Sequence, residues 1–445
     1  MKHVVKRSDV IWGYLSQFLN ISSSLLVLPF IIAFLSQEEL GAWYVFVTMA
    51  GLIQLLEFGL LPTVSRFFSY VYSGAQSLKY NIIPNTSDGE INKELLVDVY
   101  NSARSIYLII SLMSLFIVLT IGNLYLYSLD TDENNVYFIQ AWTMYGAAIS
   151  IQLYFGYYNS LLKGRGEQTA LNKIIVVTKL TFIILAIPLL TYNLGLYALS
   201  IAALFSIVVD RILVRRAVYN KNNDTFAHLL KNKIKSTKKK VIWKSARDMG
   251  LVQLGNFLTV RSGVLIVSSF VSLEAAASYG LTVQITMVLV IVSSMLFGLN
   301  LPKLNAEQLN KNKSSIKSLM KKSLVVAWGI YIAGALSMLF VGDFFLSFLS
   351  ENTTLLPKYL LALYLFTALL EMNYSICASY LTTKNQVIFL KGVIISGGLI
   401  VCVSFIAAKY FSAGVIGVIL AQLIVQMLYN NWKWPLVVYR DLKYA

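Results

Sequence analysis

The feature that most constrains this chain is a block of mostly apolar residues that recurs along its whole length. A helix of about 20 such residues crosses the roughly 30 Å hydrocarbon layer of a membrane. Only a helix satisfies its own backbone hydrogen bonds there. Hydrophobic residues make up 57% of the chain and charged residues 13%, which excludes an ordinary soluble domain. We therefore predict an all-α, polytopic membrane protein.

The apolar blocks predict about twelve transmembrane helices. The first block is too long for the core of a signal peptide, and no small-residue cleavage pattern follows it, so we expect a retained span. The predicted spans are residues 10–35, 41–70, 100–127, 136–162, 169–191, 194–216, 248–271, 275–300, 323–349, 357–382, 386–408 and 413–433.

Lysine and arginine are distributed unevenly between the two sides of this arrangement. If the N-terminus is cytoplasmic, 33 of the 37 basic residues fall in cytoplasmic segments, and only Lys358 and Lys409 fall in outer loops. Basic loops resist translocation, so we expect cytoplasmic N- and C-termini. The same asymmetry explains the net charge of +16 without nucleic-acid binding. The densest basic run, Arg211 to Arg247, is expected in the loop after span six, solvated or lying on anionic membrane lipids.

Six predicted spans lie on either side of this basic run. We accordingly divide the chain into an N-terminal six-helix bundle at 1–216, a basic cytoplasmic linker at 217–247 and a C-terminal six-helix bundle at 248–445. A weak internal repeat favours duplication, because FGLLP at 58–62 in span two is similar to FGLNLP at 297–302 in span eight.

Both repeated segments place a proline within a predicted helix. Proline in a helix interior removes a hydrogen bond and bends the helix. Pro62 and Pro302, together with Gly59, are therefore candidate hinges for a cavity that opens alternately to either side. The alternative is that they only adjust helix packing.

Four ionisable residues fall well within predicted spans, where an ionised side chain costs about 2.5–3.5 kcal/mol on insertion scales. Lys179 and Arg261 are candidates for binding an anionic group such as a pyrophosphate or an acidic sugar. Alternatively, they pair with Glu57 or Glu371. These two glutamates are candidates for proton uptake or for structural pairing. Arg66, near the inner end of span two, either binds a lipid phosphate or anchors the helix end.

The sequence indicates neither a metal site nor a nucleotide cofactor. The two cysteines lie in predicted spans and the two histidines in polar segments, with spacings that do not form a metal cluster. No phosphate-binding G-x-x-x-x-G-K-[ST] loop is present. Transport would then be driven by an ion gradient, of H+ or Na+, or by the gradient of the substrate itself. The predicted outer loops are short, so a membrane glycosyltransferase or polymerase has no obvious place for catalytic residues, and we expect no enzyme.

Two segments resemble a known family. QLLEFGLLPTVSRFFS in span two is similar to the acidic-x-Gly-Leu-x-x-x-x-x-Arg pattern of polysaccharide exporters in the multidrug/oligosaccharidyl-lipid/polysaccharide superfamily, with Glu57, Gly59 and Arg66 at its positions. YYNSLLKGRGEQTALNK, at 157–173, resembles their fourth helix and following loop. In length, span number, orientation and linker position the whole chain resembles the O-antigen (Wzx-type) flippases. Span eight departs from the pattern, because Leu296 stands where Glu57 stands in span two.

This resemblance implies two six-helix bundles around a central cavity. It also implies a flippase that moves an undecaprenyl-pyrophosphate-linked oligosaccharide, an O-antigen or similar repeat unit, by alternating access from the cytoplasmic to the outer leaflet of the bacterial inner membrane. The family's cationic cavity would correspond to Lys179 and Arg261. A multidrug or cation antiporter of the same superfamily is the alternative. Such an antiporter would use buried carboxylates without neighbouring basic residues, whereas this chain has both signs.

Overall fold

The computed structural model describes residues 7–57, 59–78, 91–129, 135–219, 237–309, 312–349, 353–384 and 388–443. The regular elements in these ranges are helices. Ten of them are long and apolar enough to cross a membrane, and a bent pair of shorter helices makes an eleventh candidate. The prediction of an all-α, polytopic membrane protein is confirmed.

The chain forms two compact units. Among the described residues, the first unit contains those before 36 and those from 49 to 253, and the second contains 36–48 and those from 254 onward. Helix α2 therefore begins in the second unit and ends in the first. The helices up to residue 218 are α1 (Arg7–Phe34), α2 (Gln37–Gln54), α3 (Leu60–Tyr72), α4 (Lys93–Ile117), α5 (Asn123–Tyr127), α6 (Asn135–Tyr154), α7 (Gly156–Gly164), α8 (Gln168–Thr191) and α9 (Leu196–Val218).

The remaining described residues form eight further helices. The first of these, α10, begins in the first unit and ends in the second. They are α10 (Lys239–Val260), α11 (Ser262–Phe270), α12 (Leu273–Leu309), α13 (Lys313–Ser347), α14 (Lys358–Thr382), α15 (Leu390–Tyr410), α16 (Gly414–Leu428) and α17 (Asn430–Lys443).

Each predicted span coincides with a helix or with an interrupted pair of helices. The fourth predicted span, which covers α6 and α7, is helical but is not among the candidate membrane spans. The polar side chains of α6 account for this difference, and several of them form hydrogen bonds inside the first unit. The Ser150 hydroxyl lies 2.7 Å from that of Ser114 on α4, and the Trp142 indole donates to the Val118 carbonyl at 3.2 Å.

The Val118 carbonyl is an acceptor for Trp142 because α4 ends in a π-helical segment, Val118–Gly122. A π segment widens the turn and shifts the backbone hydrogen-bond register, which frees a carbonyl for another donor. Gly122 makes room for the indole, since a Cβ at this position would lie 2.4 Å from the Trp142 Nε1. The insertion of one tryptophan therefore accounts for the interruption of α4.

The interruption of the second predicted span lies at Gly59. A 3-10 turn, Leu55–Glu57, follows α2, and Gly59 adopts a left-handed conformation with φ 65° before α3 begins. Glycine adopts this conformation without the steric penalty of a Cβ. Pro62 is the third residue of α3, where its missing N–H would have no helical partner in any case. The backbone therefore turns at the glycine, and the proline lies in the first turn of the next helix.

The second unit has its break at another position. Helices α10 and α11 meet at Arg261 with a bend of 40°. Pro302, in contrast, lies within α12, which continues as a helix from Leu273 to Leu309.

The predicted linker, 217–247, includes residues 220–236, which lie outside the described ranges. Its described end is fixed to the first unit, because the buried Asp98 carboxylate on α4 accepts a hydrogen bond from the Thr237 N–H at 2.6 Å and another from the Thr237 hydroxyl. A carboxylate at this position also stabilises the N-terminus of α10, which begins at Lys239.

Close packing of α7 on α3 yields a stability prediction. A Cβ on Gly164 would lie 2.4 Å from the Phe68 Cβ and 2.7 Å from the Ser65 carbonyl oxygen. Gly164→Ala should therefore destabilise the protein by about 1–3 kcal/mol, the usual cost of overpacking. Thermal unfolding of the purified protein in detergent measures this.

Gly329→Ala on α13 is the matched control, because a Cβ there would have no neighbour within 4 Å. It should leave the melting temperature unchanged or raise it slightly, since alanine is the better helix former by roughly 0.5–1 kcal/mol. Equal melting temperatures for the two variants would contradict the close packing of α7 on α3.

Candidate functional site

The first unit contains a polar cluster that begins at the break after α2. Glu57, the last residue of the 3-10 turn, accepts a hydrogen bond from the Tyr107 hydroxyl on α4 at 2.7 Å. Tyr107 is fully buried, and Gly156 at the start of α7 makes room for its ring, since a Cβ there would lie 2.5 Å from the Tyr107 Cε1. Ser160 on α7 also lies within hydrogen-bonding range of Tyr107. The carboxylate of Glu57 is therefore held in one orientation.

Helix α9 adds a pair of opposite charges to this cluster. Arg211 is only 8% exposed, and its Nη2 forms an ion pair with Asp210. The Thr178 hydroxyl on α8 donates to the Asp210 carboxylate at 3.2 Å. Arg211 also lies within electrostatic range of Glu57. The cluster thus joins the 3-10 turn, α4, α8 and α9 through ionised or hydroxyl-bearing side chains.

The position of Arg211 corrects an expectation from the sequence. It was expected at the start of the basic loop after span six, whereas it is buried within α9, seven residues before the helix ends at Val218. A sequence signal was available, because an Asp-Arg pair interrupts the apolar stretch that begins at Leu196. Counting Arg211 with the basic run that follows concealed that signal.

Lys179 lies one residue after Thr178 on α8, within a candidate membrane span, and is half-buried. In the part of the chain that the structure describes, its ammonium group has neither a hydrogen bond nor an ion pair. The expected alternative of a pair with Glu57 is therefore not formed. A half-buried and unpaired ammonium group can bind an anion.

Arg66, the third cation proposed from the sequence, lies outside this cluster. It is exposed on α3, and its guanidinium carbon lies 5.9 Å from the ring centroid of Phe67. Its position fits either of the two expected roles, a lipid-phosphate contact or an anchor for the helix end.

The second unit contains the other two charged residues proposed from the sequence. Arg261 stands at the break between α10 and α11, and Glu371 lies on α14. Both are within electrostatic range of the buried Tyr364, whose ring centroid lies 5.8 Å from that of Tyr279. Within the described ranges, the Glu371 Oε2 is buried without a hydrogen-bond partner. This carboxylate oxygen is available to a proton or a cation.

The first unit also contains a group of tyrosines that connects three of its helices. The Tyr219 hydroxyl, just after α9, lies 3.3 Å from that of Tyr100 and 3.4 Å from that of Tyr158. The Tyr157 ring packs on both Tyr100 and Tyr158, with centroids 5.4 Å and 4.3 Å apart. The ends of α4, α7 and α9 are thereby connected through side chains that are far apart in the sequence.

The described residues contain no group of three or more His, Cys, Asp or Glu side chains placed to hold a metal ion. The polar cluster of the first unit, and Arg261 with Glu371 in the second, carry charges that suit the binding of small ions or of phosphate-like groups. Lys179 and the polar cluster belong to the first unit, and Arg261 and Glu371 belong to the second.

Comparison with known proteins identifies the fold. No family model and no curated protein matches this chain. A multidrug resistance MATE family transporter of the MOP superfamily, in its inward-facing conformation, is similar with a TM-score of 0.77 and 15% identity, over 98% of this chain and 99% of that one. The outward-facing conformation of a multidrug resistance MATE family transporter is similar with a TM-score of 0.62 and 16% identity, over 98% and 96%.

A third similar structure is a MOP superfamily transporter from Pyrococcus furiosus, for which the reverse polarity of the binding pocket suggests a different function. Its TM-score is 0.53 at 14% identity, over 98% of this chain and 94% of that one. These likenesses span nearly the full length of each chain. The chain therefore has the fold of the MATE transporters.

The hydrogen bond between Tyr107 and Glu57 can be tested directly. Tyr107→Phe removes the hydroxyl donor and leaves the Glu57 carboxylate without its buried partner, which should destabilise the protein by about 1–3 kcal/mol. Tyr44→Phe is the control, because the Tyr44 hydroxyl is buried and has no hydrogen-bond partner among the described residues. The control should leave the melting temperature unchanged or raise it. A similar loss in both variants would mean that the Tyr107 contact contributes nothing specific.

Proposed function

We propose that this chain is a secondary membrane transporter that exports its substrate by alternating access. The observation that carries this proposal is the likeness to MATE transporters over nearly the full length of both chains. The interruptions at Gly59 and Arg261 support it, since broken helices are typical of transporter sites. The proposal places the protein in the bacterial inner membrane with both termini in the cytoplasm, and assigns it no enzymatic activity.

The substrate that we propose is an undecaprenyl-pyrophosphate-linked oligosaccharide, an O-antigen or similar repeat unit. This substrate is supported by the incomplete pairing of two cations within the membrane-spanning helices. Lys179 has no ion pair among the described residues, and two nitrogens of the buried Arg211 have no hydrogen-bond acceptor there. Unsatisfied positive groups inside a membrane protein are costly and mark functional positions. A pyrophosphate would supply both the charge and the acceptor oxygens that they lack.

A multidrug or cation antiporter is the second candidate, and the comparisons favour it over the oligosaccharide substrate. The neighbours described by function are multidrug resistance transporters. The buried and unpartnered Oε2 of Glu371 also suits this function, because a carboxylate in that state can bind a proton or a cation. In either case we propose H+ or Na+ as the coupling ion, with Glu57 and Glu371 as the carboxylates concerned.

A deletion strain of the source bacterium separates the two candidates. For the flippase, undecaprenyl-linked repeat units should accumulate on the inner leaflet and surface polysaccharide should be lost, with both restored by the intact gene. For the antiporter, surface polysaccharide should stay normal while drug sensitivity rises. The substrate proposal is abandoned if the second pattern is found.

Variants in the complemented strain test the two proposed substrate-binding cations. Lys179→Gln and Arg261→Ala should abolish surface polysaccharide at normal protein abundance in the membrane, since each removes a charge that the anionic substrate would contact. Lys173→Gln is the control on α8, because Lys173 is exposed and its ammonium group lies 5.4 Å from the Trp12 ring centroid. The control should export normally. Unimpaired export by either test variant would remove that residue from the site.

A further inference from the structure

Arg211 is a buried cation whose hydrogen bonding is incomplete among the described residues. Its Nη2 is engaged by Asp210, but its Nε and Nη1 are buried and have no acceptor in the described part of the chain. A buried donor without a partner destabilises the protein, and more so when it carries charge. The guanidinium therefore retains donors for an acceptor that the described residues do not supply.

Asp210 is fixed in place and does not satisfy these donors. Its carboxylate accepts from the Thr178 hydroxyl at 3.2 Å and pairs with Nη2 of Arg211. Asp210 thereby orients the guanidinium and balances part of its charge. A planar guanidinium held in this way is suited to bind a phosphate group through its remaining N–H donors.

Glu57 is the second carboxylate that faces Arg211. It is close enough to attract the guanidinium electrostatically, but it accepts its hydrogen bond from the Tyr107 hydroxyl. It stands two residues before the left-handed Gly59 that separates α2 from α3. Any anion bound by Arg211 would meet the negative charge of Glu57, so the two would compete for the same cation.

We propose that Arg211 is a binding site for the phosphate group of a phosphate or pyrophosphate ester, and that Glu57 is its internal competitor. This inference rests on the proposed transport function, and it adds a residue of the first unit to the recognition of the anionic group. Arg211 lies about 10 Å along the helix axis from the end of α9. Anion binding would release the attraction that holds the Glu57 turn, next to the break at Gly59.

Binding of inorganic pyrophosphate to the purified full-length protein tests this site. The protein is placed in nanodiscs of neutral phosphatidylcholine, and the dissociation constant is measured by titration calorimetry. Glu57→Gln removes the competing charge but keeps an acceptor for Tyr107, and should tighten binding about tenfold, the effect of one charge-assisted contact. Arg211→Gln should weaken it by about the same factor, and should abolish the gain when combined with Glu57→Gln.

Two further variants keep the test decisive. Arg216→Gln is the control, because Arg216 is exposed on the same helix, and it should leave the dissociation constant unchanged. If Arg211→Gln folds poorly, Arg211→Lys keeps the charge but loses the guanidinium donors, and should weaken binding without loss of the fold. The proposal is overturned if Arg216→Gln weakens binding as much as Arg211→Gln, or if Glu57→Gln changes nothing.

A second arm identifies the source of the phosphate. Phosphatidylglycerol replaces part of the phosphatidylcholine, without pyrophosphate, and the melting temperature is compared between the Arg211→Gln and Arg216→Gln variants. If phosphatidylglycerol raises the melting temperature only when Arg211 is present, and pyrophosphate binding does not depend on Arg211, the site binds a lipid headgroup. If pyrophosphate binding depends on Arg211, the site binds a diphosphate. Absence of any dependence on Arg211 in both arms overturns the site.

These results are independent of the export assay. If the purified protein binds pyrophosphate in a way that depends on Arg211, but the deletion strain has normal surface polysaccharide, the site is sustained and the proposed substrate is refuted. Normal export by a protein whose Arg211→Gln variant binds pyrophosphate unchanged would refute the site alone.

Discussion

The requirement that every backbone N–H and C=O be satisfied within the membrane determines most of this structure. Long helices meet it without help, and the interruptions occur where a specific residue compensates for the lost regularity. At Val118 the freed carbonyl accepts a hydrogen bond from Trp142, and at Gly59 a residue without a side chain adopts the left-handed conformation. Each interruption is therefore accommodated locally, by one residue and its neighbours.

The positions of the charged side chains are limited in a similar way, because an ionised group in a membrane helix needs polar surroundings. Glu57 lies directly before the break at Gly59, and Arg261 lies at the bend between α10 and α11. Broken helices expose polar backbone groups, and an ionised side chain is less costly beside them than in a continuous apolar helix. Glu57 and Arg261 thus lie at interruptions of the helices, whereas Lys179, Arg211 and Glu371 lie within continuous helices.

Hydropathy was sufficient to predict the helical spans, because apolar length is a property of each segment alone. The fourth predicted span is helical but is not among the candidate membrane spans, because the polar residues of α6 lower its hydropathy. The sequence identified Glu57, Lys179, Arg261 and Glu371 as charges within spans.

What the sequence did not reveal depends on contacts between distant residues. Arg211 was grouped with the basic residues that follow it, because charge counting along the chain does not distinguish the last turns of a helix from a loop. Its burial results from Asp210 beside it, from Thr178 on α8 and from the Glu57 turn more than 150 residues earlier. Of the three candidate hinges, the chain turns at Gly59, whereas Pro62 lies inside α3 and the helix α12 continues through Pro302. A proline in the sequence does not show by itself whether it falls in the first turn of a helix, where it is tolerated.

The fold and the substrate are consequently decided by different residues. Long apolar helices produce a MATE-like arrangement at 14–16% identity, so many sequences satisfy that requirement and the fold alone does not specify a ligand. Recognition depends on the few charges that the helices cannot neutralise. In the first unit Asp210 balances part of one arginine, Glu57 is bound to a tyrosine, and Lys179 has no ion pair among the described residues. This incomplete neutralisation is the physical basis for expecting an anionic ligand in that unit.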